Sequence, residues 1–157
     1  MVNLNNDISD RVTSYQADTV IFAEGEASNY LYIIKTGRVR IVKVYDGKLI
    51  PISILGPGSF LGESAIFTDE LRSADAITLD PSQIVLIKKS DIKKVIKLCP
   101  DWVNNIMKTL CHRLSETSML LSEHQIQSSE KEESLDAKEI NRIKGLLENY
   151  RSKKGLS

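Results

Sequence analysis

Neither sign of charge predominates in this chain: Lys+Arg and Asp+Glu are equal at 21 each, so composition draws it toward neither nucleic acid nor an anionic membrane. Cysteine is scarce. Cys99 and Cys111 stand twelve positions apart with no C-x-x-C pair, which excludes a disulfide framework and a zinc knuckle and reads as two reduced, buried thiols. His112 and His124 are as far apart, and no acid or cysteine completes a metal set around them. No stretch approaches the roughly 18 apolar residues of a membrane span. Residues 1–10 are polar and lack a basic region followed by an apolar run, so the expected location is cytoplasmic. A strand–serine–helix elbow is missing as well, and the chain reads as non-catalytic.

With 41% hydrophobic and 27% charged residues among 157, the chain has the composition of one ordinary globular domain with an appendage. From Thr19 to about Lys88, runs of β-branched and aromatic residues alternate with turn signals, as short strands do. The expected strands are Thr19 to Phe22, Tyr30 to Lys35, Val39 to Tyr45, Lys48 to Leu55, Ala74 to Leu79 and Gln83 to Lys88. Asp46-Gly47 is a two-residue hairpin signal, Gly56-Pro57-Gly58 enforces a bend, and Asp80-Pro81 breaks a strand pair. Strands spaced this closely predict a barrel or a sandwich.

The period then changes. Ser90 and Asp91 are suited to cap a helix carrying Ile92, Val95, Ile96 and Leu98, and Pro100 ends it. Asp101 is placed to cap a second helix running to about Ser128. Its Val103, Met107, Leu110, Leu114, Thr117 and Leu121, spaced four and three apart, form a seam for lengthwise packing against another helix. The boundaries expected are therefore 1–128 for the domain with its long helix, and 129–157 for a linker and a tail. The tail offers Ile140, Ile143, Leu147 and Tyr150 at helical spacing, then a short basic end that serves solubility rather than nucleic acid. This amphipathic face is open to three destinations: a partner protein, the barrel of its own chain, or an extended dimer.

The chemistry is concentrated in Gly58-Ser59-Phe60-Leu61-Gly62-Glu63-Ser64-Ala65-Ile66-Phe67, followed by Thr68-Asp69-Glu70-Leu71-Arg72-Ser73-Ala74. A glycine and an acid open a short helix-like turn, and nine positions beyond the acid an arginine precedes a small hydroxyl residue. Unpaired amides at the start of a helix and a guanidinium fork together suit a phosphate. Glu63 is poorly placed for an anion but well suited to accept a hydrogen bond from a sugar hydroxyl. Ribose and phosphate on one ligand are implied.

This stretch resembles the phosphate-binding cassette of cyclic-nucleotide-binding domains, and Gly25-Glu26-Ala27-Ser28-Asn29-Tyr30-Leu31-Tyr32 through Val39 resembles their second signature. The likeness covers about residues 17–128. It implies an α+β fold, an antiparallel β jelly-roll barrel followed by a long dimerisation helix, to which the tail adds a short amphipathic helix. It implies further that Arg72 pairs with a cyclic phosphate, that Glu63 takes the ribose 2′-hydroxyl, and that amides around Gly62 and Ser64 assist. His112-Arg113-Leu114-Ser115-Glu116-Thr117-Ser118 is similar to the dimer helix of the bacterial cyclic-AMP receptor branch. There Thr117 and Ser118 take the positions of a base-contacting pair reaching the adenine from two subunits. Ser73 also fits that branch, although the loop from Glu63 to Arg72 is one residue shorter than its pattern.

The function expected on that resemblance is a stand-alone receptor for cAMP, with cGMP less favoured. It would form a homodimer through residues 101–128 and signal to an effector protein, the tail at residues 134–150 being one contact. The 29 residues after Ser128 are too few for a helix-turn-helix unit, so no direct contact with nucleic acid is expected. Two other classes stay open: a scaffold of the same fold with an empty pocket, and the sensor part of a transcription regulator.

Overall fold

The computed structural model describes residues 11–127 and 135–156. In chain order the first elements are β1 (Arg11–Tyr15), β2 (Val20–Phe22), β3 (Tyr30–Thr36), β4 (Val39–Tyr45), β5 (Lys48–Leu55) and β6 (Phe60–Leu61). Then come α1 (Glu63–Phe67), β7 (Asp75–Thr78), β8 (Ser82–Lys88), α2 (Lys89–Lys97), α3 (Asp101–Gln127) and α4 (Ala137–Lys154). The eight strands form two antiparallel four-stranded sheets, β1-β8-β3-β6 and β2-β7-β4-β5, stacked as a jelly roll. Asp46 and Gly47 both adopt positive φ, 49° and 72°, and close the β4–β5 hairpin as their sequence predicts.

Two strands lie outside the sequence pattern. β1, Arg-Val-Thr-Ser-Tyr, is mostly exposed and gains its conformation from pairing with β8 across the chain, from Arg11↔Leu86 to Tyr15↔Ser82. β6 is only two residues long and pairs with β3. The cap expected at Ser90 or Asp91 is also displaced: α2 starts at Lys89, and its N-cap residue Lys88 makes no side-chain cap bond. Asp91 instead lies buried in the first turn, where an acid complements the helix dipole, with Lys94 Nζ 3.2 Å away. Asp101 is the first residue of α3 rather than a residue preceding it.

Between the sheets, Ile34, Val39, Leu61 and Ile84 form a core with almost no exposure. The β2-β7-β4-β5 sheet is apolar on both faces. Ala76 and Val39 face the inter-sheet core while Ile77, Val42 and Leu49 point the other way, as the alternation of a strand requires. Such a second face needs a cover.

The cover is α4. Ile143 and Leu147 are each 3% exposed against Val20, Val42, Leu49 and Ile77, with Ile140, Leu146 and Tyr150 packed around them. Of the tail's three destinations, the structure has the fold-back onto the chain's own barrel. Its ends are well terminated: Asp136 accepts from the Glu139 amide at 2.7 Å, and Gly155 at φ 66° lets Leu156 N–H reach the Arg151 carbonyl at 3.0 Å. The linker expected from residue 129 falls largely outside the described residues, as does Ser128. No helix among the described residues is long and apolar enough to cross a membrane.

The segment leading to Arg72 is pinned to α2. Asp69, at φ 61°, lies 2.6 Å from Lys93 Nζ and 2.9 Å from Lys89 Nζ, and Lys89 also donates to the Ala65 carbonyl at 3.1 Å. The hydrogen bonds from Lys93 and Lys89 hold the Asp69 carboxyl down at about 2.

Two outcomes are expected. Leu147→Ala should lower unfolding stability by about 2–5 kcal/mol in urea titrations, whereas exposed Lys138→Ala on the same helix should change it by no more than about 0.5 kcal/mol. Because the folded carboxyl of Asp69 is depressed, its stabilisation is present above the unfolded carboxylate range and lost as pH falls toward about 2. Stability measured against pH should therefore fall less steeply below about pH 4 in Asp69→Asn than in the wild type, by an amount that salt reduces because the pair is exposed.

Candidate functional site

The cassette begins where β6 leaves the sheet. Gly62 turns the chain with φ 73° and serves as N-cap of the five-residue helix α1, whose Ala65 and Ile66 anchor it in the core. A side chain at position 62 would meet the Arg72 guanidinium, since a Cβ there would lie 1.7 Å from Arg72 Nη1. Gly62 is thus required twice, by its backbone angle and by the approach of Arg72.

Arg72 itself is buried, with 4% exposure. Its Nη1 donates to the Gly62 carbonyl at 2.8 Å and its Nη2 to the Tyr30 carbonyl at 2.5 Å. The guanidinium carbon lies 4.4 Å from the centre of the Phe22 ring and 5.3 Å from that of Tyr32. Burial pushes the guanidinium below its ordinary range, against the pull of Tyr32, Glu26 and Glu63, and burial lifts the Tyr32 phenol to about 12. An arginine keeps its proton even so. No carboxylate of the described residues lies within ion-pair distance of it.

That cation borders a cavity of about 190 Å³. Gly62, Glu63, Ser64, Arg72 and Ser73 all line it, so five of the seven residues expected at the site are brought together. Phe22, Ile41, Ile52, Leu55 and Phe60 give it apolar walls, and Lys43 and Ser115 add polar ones. Glu63 is half-buried and makes no hydrogen bond or ion pair within the described residues, which leaves its carboxylate an open acceptor. The nearby Cys111 thiol is pushed up by burial first and by the Glu63 charge second.

Thr117 stands apart. It is exposed, its hydroxyl donates to the Arg113 carbonyl at 2.8 Å, and it does not line the cavity of its own chain. Ser118 lies on α3, with its side chain outside the described residues. The residue by which α3 reaches the cavity is Ser115, whose hydroxyl is 2.7 Å from that of Ser64. Sequence reasoning missed it. The signal was available: Cys111 and Ser115 follow Val103 and Met107 at intervals of four and form the inward face of α3.

The seam read from sequence therefore divides. Val103 and Met107 are half-buried on the inward face, whereas Leu110 and Leu114 are exposed, in line with Trp102 and Ile106. The last four, spaced by fours, make an apolar stripe on the outer side of the helix. Among the described residues no group of three or more His, Cys, Asp or Glu side chains is arranged to hold a metal.

Comparison with known proteins agrees with this geometry. Residues 12–98 match the family model described as "Cyclic nucleotide-binding domain". The cyclic AMP receptor protein of Thermus thermophilus is 27% identical over 108 residues, covering 68% of this chain and 50% of that protein. The cAMP-activated global transcriptional regulator CRP of Pasteurella multocida is 32% identical over 105 residues, 66% of this chain and 50% of that one. The chain thus spans about half the length of the curated relatives it matches. Among solved structures, the EAL enzyme Bd1971 in its cAMP-bound form superposes with a TM-score of 0.66 at 30% identity, over 74% of this chain and 31% of that chain. The same enzyme in its cGMP-bound form gives a TM-score of 0.63 over the same shares. With the cassette, the jelly roll and the family model in agreement, this chain belongs to the cyclic-nucleotide-binding domain family.

Proposed function

We propose that this chain is a cyclic-nucleotide receptor, with cAMP as its ligand, that signals through protein–protein contacts rather than by catalysis. One observation carries the reading: a buried guanidinium with no carboxylate partner among the described residues borders a cavity in which Glu63, a carboxylate unpaired among those same residues, also lies. Buried charges are ordinarily paired, and a cation held by neutral carbonyls beside an open cavity is arranged for an anion. A cyclic phosphate on Arg72 and a ribose hydroxyl on Glu63 satisfy both groups at once.

The cavity is smaller than the roughly 300–1,000 Å³ of sites that enclose a whole small ligand. A nucleotide seated by its ribose phosphate leaves its base at the rim, next to Ser115 and the helix that carries it. In this reading Ser73 flanks the phosphate, and Thr117 and Ser118 meet the base in a homodimer formed through residues 101–128. The exposed stripe of Trp102, Ile106, Leu110 and Leu114 supports such a pairing. The preference for cAMP over cGMP rests on the curated relatives named for cAMP. Free thiols at Cys99 and Cys111 suit a reducing, cytoplasmic setting.

Calorimetry with cAMP is expected to give saturable binding that is lost in Arg72→Leu and weakened by about 1.5–3 kcal/mol in Glu63→Ala. A flat titration for the wild type, with no thermal shift at saturating cAMP or cGMP, would turn the reading toward a scaffold without ligand. In sedimentation experiments, the wild type should run as a dimer and the double variant Leu110→Glu, Leu114→Glu as a monomer; a monomeric wild type with and without cAMP removes the paired-helix arrangement.

A further inference from the structure

The loop Glu24–Gly25–Glu26 stands between the end of α4 and the nucleotide cavity, and each of its residues is bonded to one or both. On the α4 side, the Tyr150 hydroxyl donates to Glu26 Oε2 at 2.9 Å, with the Ile21 carbonyl 3.4 Å away. Arg151 Nη2 donates at 2.9 Å to Asp75 Oδ1, and that same oxygen accepts the Glu24 amide at 2.8 Å. Asp75 has no solvent exposure, so its carboxylate relies on these donors. On the cavity side, Gly25 N–H donates to the Arg72 carbonyl at 2.8 Å, and Arg72 N–H donates to the Glu26 carbonyl at 2.9 Å. The Glu24 carboxylate lies 3.4 Å from the ammonium of Lys43, the second cation lining the cavity.

Tyr150 and Arg151 do not line the cavity, yet Tyr150 reaches Arg72 through Glu26 alone and Arg151 reaches Lys43 through Asp75 and Glu24. A pair of backbone hydrogen bonds transmits small displacements of the loop directly to the Arg72 backbone, and so to the guanidinium it carries. Burial and the bond to Glu26 both push the Tyr150 phenol far above its usual range, so its hydroxyl stays a donor. We propose that Tyr150 and Arg151 are positioning residues of the nucleotide site, acting through Glu24–Gly25–Glu26 on Arg72 and Lys43. Docking of the last turns of α4 and occupancy of the cavity then favour each other. This rests on the receptor reading. By linkage, whatever α4 contributes to nucleotide affinity, bound nucleotide returns to the docking of α4.

The test uses the full chain as wild type, Tyr150→Phe, Arg151→Lys, and Arg142→Ala as a control on the same helix whose nearest acidic partner is Asp18, not the loop. Affinity for cAMP is measured by calorimetry, and amide exchange of α4 is followed with and without saturating cAMP. The expected results are an affinity about two- to thirtyfold weaker in Tyr150→Phe and Arg151→Lys, unchanged in Arg142→Ala, and slower exchange of the α4 amides when cAMP is bound. Residues that merely hold the fold would lower the melting temperature equally with and without nucleotide and leave affinity alone. That pattern, with α4 exchange indifferent to cAMP, overturns the proposal even if one variant fails to fold. A wild type that binds neither cAMP nor cGMP marks failure of the receptor reading itself. Wild-type binding matched by both variants marks failure of the coupling alone.

Discussion

A guanidinium held inside a protein without a carboxylate beside it is an expensive arrangement, and much of this molecule is built to keep one there. Two backbone carbonyls, from Gly62 and Tyr30, accept from Arg72, and the faces of Phe22 and Tyr32 lie against it. These partners are neutral, so they solvate the charge without cancelling it. The carbonyls come from opposite ends of a long stretch of sequence, joined by the β3–β6 pairing that sets Tyr32 opposite Leu61. The jelly roll thereby fixes a cation at the wall of a cavity, and Glu63, one residue after the turn, supplies an open acceptor of opposite sign. An arrangement of this kind costs stability when empty and regains it when an anion arrives.

Around that centre, the helices divide the labour by face. α3 turns Cys111 and Ser115 inward, and Ser64–Ser115 ties it to α1, while its opposite side carries the apolar stripe from Trp102 to Leu114. A displacement of α1 is therefore felt by the helix that presents the stripe. α4 spends its apolar side on the second face of the β2-β7-β4-β5 sheet and places Tyr150 on the loop behind Arg72 and Arg151 on Asp75, which holds that loop by the Glu24 amide. The two long helices thus meet the cassette from different sides, one through a hydroxyl pair and the other through a loop.

How much of this the sequence disclosed follows from the range of the interactions. The Asp46-Gly47 hairpin, the strands β3 to β5 and the Gly62–Arg72 cassette were legible because each depends on neighbouring residues: positive φ, alternating burial, or a motif of fixed spacing. β1 was not, since its mostly polar residues become a strand only by pairing with β8, about seventy positions on. Ser115 was hidden for a similar reason, because a serine on a helix carries no sign of which face will be covered. The seam on α3 reads as one stripe, whereas the folded helix half-buries Val103 and Met107 on its inward face and leaves Leu110 and Leu114 outside. The fold-back of α4 was visible only as an amphipathic period. Its destination became decidable once Val42, Leu49 and Ile77 were seen to need a cover.

The contact between Gly62 and Arg72 also limits what position 62 admits. A methyl group at position 62 would lie where the guanidinium now sits, so the two residues are bound as lock and occupant: the arginine keeps its place only while the glycine stays bare. A side chain at position 62 displaces the guanidinium from its present seat, and removal of the arginine side chain relieves that clash while the positive φ still favours glycine.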